Sequence, residues 1–452
     1  MPAKFIAFLG TNPYLECSYY FHDAQAEFYP TRFVQASLIR QLVLSGELNG
    51  TSEILVLVTG EAKERNWKDG VDRQGNPLVG LANHLIRLKT ELEELGKQLP
   101  PYRLVDIPEG KSEVELWQIF HTFAEQIQEG DHLFFDVTHS FRSLPMLALV
   151  VLNYLRVVKN VTIEKIFYGA FETLGPIQEV SKKPVEERNA PVFDLTPFVD
   201  LLQWTTAADH FIRTGNTLLM TELTRRKTQP LLTISKGKDE SAATLLNLSK
   251  SLSTFTRDLL TIAGPKLSND VFQVRESLEK AREHVDGIPP LANLFDKILK
   301  EFSETQKPQQ IVANTNLLIE FCFKHGLIQQ GFTLLNENLI TYGCLLFGLN
   351  HTRKKHRDLF ASALEIKARS IPEEKWRLQN SWDKKEQKEI IRKVSSANVN
   401  KLIELRTKIA PLRNALNHAS FNVSGTSYDN YLQSGVQLIQ QFKALVRENG
   451  IR

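Results

Sequence analysis

Strand and helix signals are unevenly distributed along this 452-residue chain. That asymmetry limits its architecture more than any other feature. Up to about residue 175, short apolar runs alternate with amphipathic segments. "KFIAFLG" (4–10), "SEILVLVTG" (52–60), "YRLVDIP" (102–108), "HLFFDVT" (132–138) and "VTIEKIFYGAFE" (161–172) read as strands. "TRFVQASLIRQLVLSG" (31–46), "LVGLANHLIRLKTELEELGKQL" (78–99) and "SEVELWQIFHTFAEQIQEGD" (112–131) read as helices, the last opened by a Ser-x-x-Glu start signal. Continuously apolar strands with helices between them predict a mostly parallel sheet with helices on both faces. The expectation is a doubly wound α/β domain over residues 1–190.

Beyond residue 190 the strand signals fade, and residues 191–452 read as an all-α half. A chain of this length is expected to form two or three domains. The formal charge is +3, so any nucleic-acid contact has to come from local basic patches. The cysteines, Cys17, Cys322 and Cys344, are scattered, with neither disulfide-framework nor zinc spacing. "LPMLALVVLNYL" (144–155) is too short to span a bilayer and reads as a buried helix. No signal peptide is visible at "MPAKFIAFLG", so a cytoplasmic protein without membrane association is expected.

In an open parallel sheet, ligands bind beyond the carboxyl ends of the strands. Two polar stretches fall there. In "FLGTNPY", Gly10 lets the chain turn, and Thr11 and Asn12 offer small polar groups and backbone N–H donors suited to a phosphate. In "DVTHSFRSLP", Asp136 stands near a strand end and a polar cluster opens the next helix. A helix N-terminus with Arg142 suits an anion. Thr138 and Ser140 can donate to phosphates, and His139 can stack on a base or bond to it. The plainer reading is that Asp136 and Thr138 tie the loop, with Arg142 paired to Asp136. A serine nucleophile is disfavoured because Gly-x-Ser-x-Gly is missing, and one His with one Asp is no metal-ligand set.

"DVTHSFRSLP" after an apolar strand, with "FLGT" at the first strand, resembles the CRISPR-associated DxTHG family, whose N-terminal CARF domain is a Rossmann-like sensor of cyclic oligoadenylate. "TRFVQASL" and "VFDLTPFVDLLQWTTAADHFIRTGN" are similar to the family in wording and position. Ser140 stands where the family usually has Gly, which bears on loop geometry and ligand size. The resemblance implies that Gly10, Thr11, Asn12, Thr138, His139, Ser140 and Arg142 bind the cyclic oligoadenylate. It favours cyclic tetra-adenylate over the six-membered ring as allosteric activator.

The second constellation is "RNALNH" within "LIELRTKIAPLRNALNHASF". Arg413 and His418 are the ends of an Arg-x4-His pattern, which chance alone would supply roughly half a time in such a chain. In a helical half it resembles the signature of HEPN ribonucleases, in which a polar residue such as Asn414 commonly follows the Arg. Five residues turn about 140° past a full helical turn, so Arg413 and His418 do not share one face. Asn417 falls on the Arg413 side and Asn414 on the His418 side. Two such helices across a two-fold axis bring both pairs into one cleft, which a C2 dimer supplies.

The resemblance implies metal-independent cleavage of single-stranded RNA by attack of the ribose 2′-OH on the adjacent phosphate. His418 serves proton transfer, Arg413 stabilises charge on the phosphoryl oxygens, and Asn414 and Asn417 orient these groups or the RNA. The expected assembly is a homodimer or higher even-numbered oligomer, with no cofactor beyond the activator. Two alternatives stand beside this: a ligand-binding regulator whose helical half binds nucleic acid without cutting, and a CARF domain that also degrades its activator. Among weaker features, "HTRKKHRDLF" (351–360) is a basic cluster suited to RNA or to a solvated face. Glu337 braces the second site or stays at the surface. The five Trp are expected in the core, and His210 is expected to be a packed polar residue.

Overall fold

A computed structural model describes residues 3–21, 28–71, 75–138, 144–284, 290–380, 382–419 and 426–448. The chain forms two compact units, residues 1–200 and 201–452.

The first unit is built on eight strands in the order β3-β2-β10-β9-β8-β1-β4-β7. They are β1 (Ala3–Leu9), β2 (Cys17–Phe21), β3 (Pro30–Thr31), β4 (Glu53–Val58), β7 (Tyr102–Asp106), β8 (His132–Asp136), β9 (Thr162–Gly169) and β10 (Asn189–Asp194). β5 (Gly70–Val71) and β6 (Pro77–Leu78) form a separate small ladder. The five strands expected from sequence form the parallel block β7-β4-β1-β8-β9. β10 runs antiparallel to β9 and parallel to β2, and β3 closes the edge antiparallel to β2.

The strands β2, β3 and β10 went unread in the sequence because they are short or polar at one end. β10 pairs on both sides, which carries the first unit past the expected limit at residue 190.

The central strands are buried on both faces, which explains their unbroken apolar runs. Phe5, Ala7 and Leu9 of β1 pack with Ile54, Val56 and Val58 of β4 under α1 (Val34–Leu44) and α3 (Leu81–Glu94). Ile6, Phe8, Leu55, Leu57, Leu133 and Phe135 point the other way, under α4 (Glu113–Glu125) and α5 (Leu144–Val158). Leu81, Leu85, Leu88 and Leu92 of α3 are all fully buried, an i, i+4, i+7, i+11 stripe. Ser112 caps α4 by accepting from the Glu115 amide at 3.2 Å, and Glu115 Oε2 accepts from the Lys111 amide at 2.8 Å. The single turns α2 (Gly60–Ala62) and α6 (Ile177–Val180) complete the unit.

The second unit is helical: α7 (Thr196–Thr214, which begins in the first unit), α8 (Leu218–Ile234), α9 (Glu240–Leu260), α10 (Gly264–Arg282), α11 (Leu291–Leu299), α12 (Ile311–Lys324), α13 (Ile328–Leu346), α14 (Lys354–Ala368), α15 (Lys384–Ser396), α16 (Asn400–Asn417) and α17 (Tyr428–Glu448). One continuous core runs from Trp204 to Val446, centred on aromatics such as Phe255, Phe302, Phe321, Phe332 and Tyr342. Among the described residues no helix is long and apolar enough to cross a membrane.

Three expectations need correction. The run at 144–155 does form a helix, α5, but not a buried one: Leu149, Val150 and Tyr154 are exposed. Of the five Trp, Trp204 is buried, but Trp117 is 69% exposed on α4, where only part of the helix circumference faces the sheet. His210 is exposed on α7 rather than packed.

Candidate functional site

From β1 the chain winds outward through β4 and β7, then returns to β1's other side as β8 and continues to β9. The order therefore reverses between β1 and β8, and the crevice opens at their carboxyl ends. The turn after β1 and the turn after β8 flank it.

The first turn is held in place by a residue without a sequence signal. Asn66, buried in the helical segment Lys63–Trp67, donates from Nδ2 to the Gly10 carbonyl at 2.8 Å and to the Asn12 carbonyl at 2.9 Å. Gly10 N donates to the Tyr14 hydroxyl at 3.0 Å. Arg32 donates to the Tyr14 carbonyl at 3.3 Å and to the Val79 carbonyl at 2.8 Å. The turn is thus pre-shaped, with the Thr11 and Asn12 side chains left outside this bonding.

At the second turn the Asp136 carboxylate is fully buried. Its Oδ1 accepts from the Thr138 amide at 2.9 Å and from the Thr138 hydroxyl at 2.5 Å. The Thr138 hydroxyl in turn accepts from the Gly169 amide at 2.8 Å. Its single proton is committed to Asp136, so toward a ligand it has only its remaining acceptor capacity. Burial pushes the Asp136 carboxyl up to about 7, against the lowering effect of its two Thr138 bonds. Gly169 has to be glycine at this junction: a Cβ there would come within 2.7 Å of Val34 Cγ2.

The same device recurs after β10. Asp194 Oδ1 accepts from the Thr196 amide at 2.8 Å and from its hydroxyl at 2.5 Å, and that hydroxyl accepts from the Ile166 amide at 2.9 Å. Two Asp-x-Thr turns thus clasp β9 from either side.

A cavity of about 470 Å³ lies over this end of the sheet. Asn12, Tyr14 and Thr138 line it with Tyr19, Tyr168, Phe171 and Glu172. Asn12 and Thr138, predicted from separate stretches, therefore meet at one cavity. The Tyr168 hydroxyl bonds to Glu172 Oε1 at 2.5 Å. Burial first, and then Glu172, push that phenol up to about 12. Gly10 and Thr11 sit on the adjoining turn. His139, Ser140 and Arg142 lie outside the described residues.

In the second unit, Arg413 is half-buried on α16, and its Nε atom is enclosed without a hydrogen-bond partner among the described residues. Asn414 and Asn417 are exposed, and Asn417 Oδ1 accepts from Gln329 of α13 at 3.3 Å. His418 stands at the helix end, exposed, its amide bonded to the Asn414 carbonyl at 3.0 Å. The chain then turns through a positive φ of 52° at Ala419. His418 is therefore presented beyond the last helical turn rather than on a helix face.

Arg406, seven residues before Arg413 and on the same face, donates to the Ala361 carbonyl of α14 at 2.5 Å. Burial holds its guanidinium below the ordinary value. Glu365 and Glu337 oppose that shift, and Arg413 adds to it. Glu337 Oε2 pairs with Arg357 of α14 at 2.6 Å, and Arg357 also donates to Thr341 Oγ1 at 2.8 Å. Glu337 is thus paired, and it is electrostatically coupled to Arg406 of α16. The sequence carries no signal for the Arg357 partnership. Among the described residues no group of three or more His, Cys, Asp and Glu side chains forms a metal-ligand set.

Comparison with known proteins gives two family matches. Residues 4–172 match the family described as CRISPR system endoribonuclease Csx1, CARF domain. Residues 200–310 match the family described as CRISPR-associated protein MJ1674, second domain. A curated relative, CRISPR-associated protein MJ1674 of Methanocaldococcus jannaschii, is 34% identical over 112 residues. That stretch takes in 24% of this chain and only 16% of the relative. Together the matches support a CRISPR-associated protein with an N-terminal CARF domain.

Proposed function

We propose that this protein is a cyclic-oligoadenylate-activated endoribonuclease of type III CRISPR defence, sensing with its first unit and cutting with its second. The observation that carries the sensor half is the meeting of Asn12 and Thr138 at one cavity beyond the sheet's reversal point. The phosphates of the ring lie against the Gly10–Asn12 turn and the stretch containing Thr138, His139, Ser140 and Arg142. Cyclic tetra-adenylate is the activator favoured by resemblance.

The ribonuclease half rests on the HEPN-like Arg413-x4-His418 pattern, supported by the likeness of residues 4–172 to the CARF domain of the endoribonuclease Csx1 family. In this reading the ribose 2′-OH attacks the adjacent phosphorus, its proton passing to a base that His418 supplies or positions. The P–O bond to the 5′ oxygen breaks and that oxygen takes up a proton. The products are a 2′,3′-cyclic phosphate and a 5′-OH, with no metal ion required. Arg413 stabilises the charge gathering on the phosphoryl oxygens, and Asn414 and Asn417 orient the groups.

A homodimer suits this chemistry because one helix end presents a single Arg and a single His. An apolar face supports such pairing. Trp117 and Phe120 of α4 stack edge-on at 5.6 Å, Phe120 meets Tyr154 of α5 at 5.3 Å, and Val150, Tyr154 and Val157 are exposed beside them. α5 begins eight residues after Asp136 in the chain, so pairing through it brings two ligand crevices together. The ring activates only by binding the cutting arrangement more tightly than the resting one.

The test is RNA cleavage with rings of four and six adenylates, in wild type and His418→Ala side by side. Activation of wild type alone by one ring is expected. Binding of RNA without cleavage under either ring would favour a non-cutting regulator instead.

A further inference from the structure

α9 and α10 form a tight antiparallel hairpin. Leu248, Leu252, Phe255 and Leu259 on one helix and Leu267, Val271, Val274 and Leu278 on the other face the core. Their outer faces enclose a groove of about 470 Å³ lined by polar and charged residues. Asn247, Lys250, Ser251 and Thr254 repeat at helical spacing along α9, opposite Asp270, Gln273, Ser277 and Lys280 on α10.

A merely solvated helix face is usually written in Lys, Glu, Gln and Arg, which favour helix; Ser, Thr and Asn are weaker helix formers and are gathered here on one shared face. The groove also contains a buried acid. Asp270 is 7% exposed, and its Oδ2 atom receives no hydrogen bond from any described residue. Burial first, and then the charge of Asp258 and a hydrogen bond to its carboxyl, push the Asp270 carboxyl up to about 6, against the lowering effect of Lys266. Among the described residues no aromatic side chain lines the groove, so it offers nothing for a base to stack on.

Two ammonium groups, a row of amides and hydroxyls, and a carboxyl whose hydrogen-bonding neighbour is a second acid, Asp258, match phosphates and a ribose hydroxyl. We infer that the α9–α10 groove holds the ribose-phosphate backbone of single-stranded RNA, with Lys250 and Lys280 on phosphates and Asp270 on a 2′-hydroxyl. The groove is a holding site away from Arg413 and His418 in sequence, indifferent to base identity. This deepens the ribonuclease reading and rests on it for the presence of RNA.

The test uses full-length His418→Ala protein, so that RNA survives the measurement. Binding of a short mixed-sequence single-stranded RNA, the matching DNA and ribose 5-phosphate is compared by titration over a range of salt. RNA is expected to bind more tightly than DNA. Replacing Lys250 and Lys280 together by Ala is expected to weaken RNA binding about tenfold and to lower the salt slope by about 1.4, near 0.7 for each phosphate no longer neutralised. Asp270→Ala is expected to narrow the preference for RNA over DNA, with circular dichroism to check its fold.

RNA affinity unchanged in the double lysine variant would overturn the inference. Ribose 5-phosphate binding as tightly as RNA would overturn it in favour of a free sugar phosphate. The two readings fail separately: a wild type that binds RNA through the groove but never cleaves it removes the ribonuclease and leaves the groove. Cleaving protein whose lysine variant binds RNA normally does the reverse.

Discussion

The Thr138 hydroxyl donates to Asp136 Oδ1 at 2.5 Å, while the Asp136 side chain has no exposed surface. Of the polar groups in "DVTHSFR", this pair is therefore occupied with the protein itself. It pins the end of β8 to β9 through the Gly169 amide at 2.8 Å, and so sets where the following residues emerge.

Replacing Thr138 by Val should leave a buried carboxylate oxygen and the Gly169 amide short of a partner, destabilising the protein by about 1–3 kcal/mol. Thr138→Ser keeps both bonds and should stay near wild type. Thermal melts read the first effect. Activator titrations should show Val, and not Ser, shifted to higher ring concentration. Equal shifts for the two would mean that the tie is not what matters.

Asp136 gives a signed pH dependence. Its carboxyl is raised to about 7 in the folded protein, against about 3.9 when unfolded. The folded state therefore holds a proton between these values that the unfolded state has lost, and stability falls as pH rises from about 4 to about 7. The full effect is on the order of 4 kcal/mol. Asp136→Asn mimics the protonated acid and should flatten this decline. Melts of both proteins at pH 5 and pH 8 compare them, and parallel curves would argue against a raised carboxyl.

His418→Ala should reduce RNA cleavage by about 10²–10⁴-fold while activator binding is retained. Arg413→Ala should do likewise, because charge on the phosphoryl oxygens goes unstabilised. DNA of the same sequence should resist cleavage, since it lacks the 2′-hydroxyl. Cleavage of DNA at a comparable rate would exclude the mechanism.

The Glu337–Arg357 pair is partly solvated, with Glu337 48% exposed, so its stability contribution should be small, about 0–1 kcal/mol. If the pair positions α16 through Arg406, Glu337→Gln should nonetheless lower kcat about tenfold with little change in melting. A melting change without a rate change would assign the pair to structure alone.

Tyr154→Glu and Val157→Glu place a charge on the exposed face of α5. Both should shift the protein toward monomer in sedimentation and abolish ring-stimulated cleavage together. Dimers of unchanged stability would move the interface elsewhere.

Local pattern determined a good deal. The unbroken apolar runs at 4–10, 52–60 and 132–138 demanded strands covered on both faces, and the amphipathic segments between them demanded helices. The Asp-x-Thr spacing is itself a local hydrogen-bonding unit, and the five-residue spacing already kept Arg413 and His418 from sharing one helix face, although only the structure showed that α16 ends before His418. None of this specifies neighbours. Only the tertiary structure set β8 beside β1, reversed the strand order there, and so brought Asn12 and Thr138 to one cavity. Only it showed Asn66 holding the Gly10–Asn12 turn, β10 inserting antiparallel to β9 and parallel to β2, and Arg357 reaching Glu337. The physical reason is range. Periodicity records which side of an element avoids water, a property of adjacent residues. Strand order and side-chain reach depend on how distant segments compete for the same buried surface, and no short stretch carries that information.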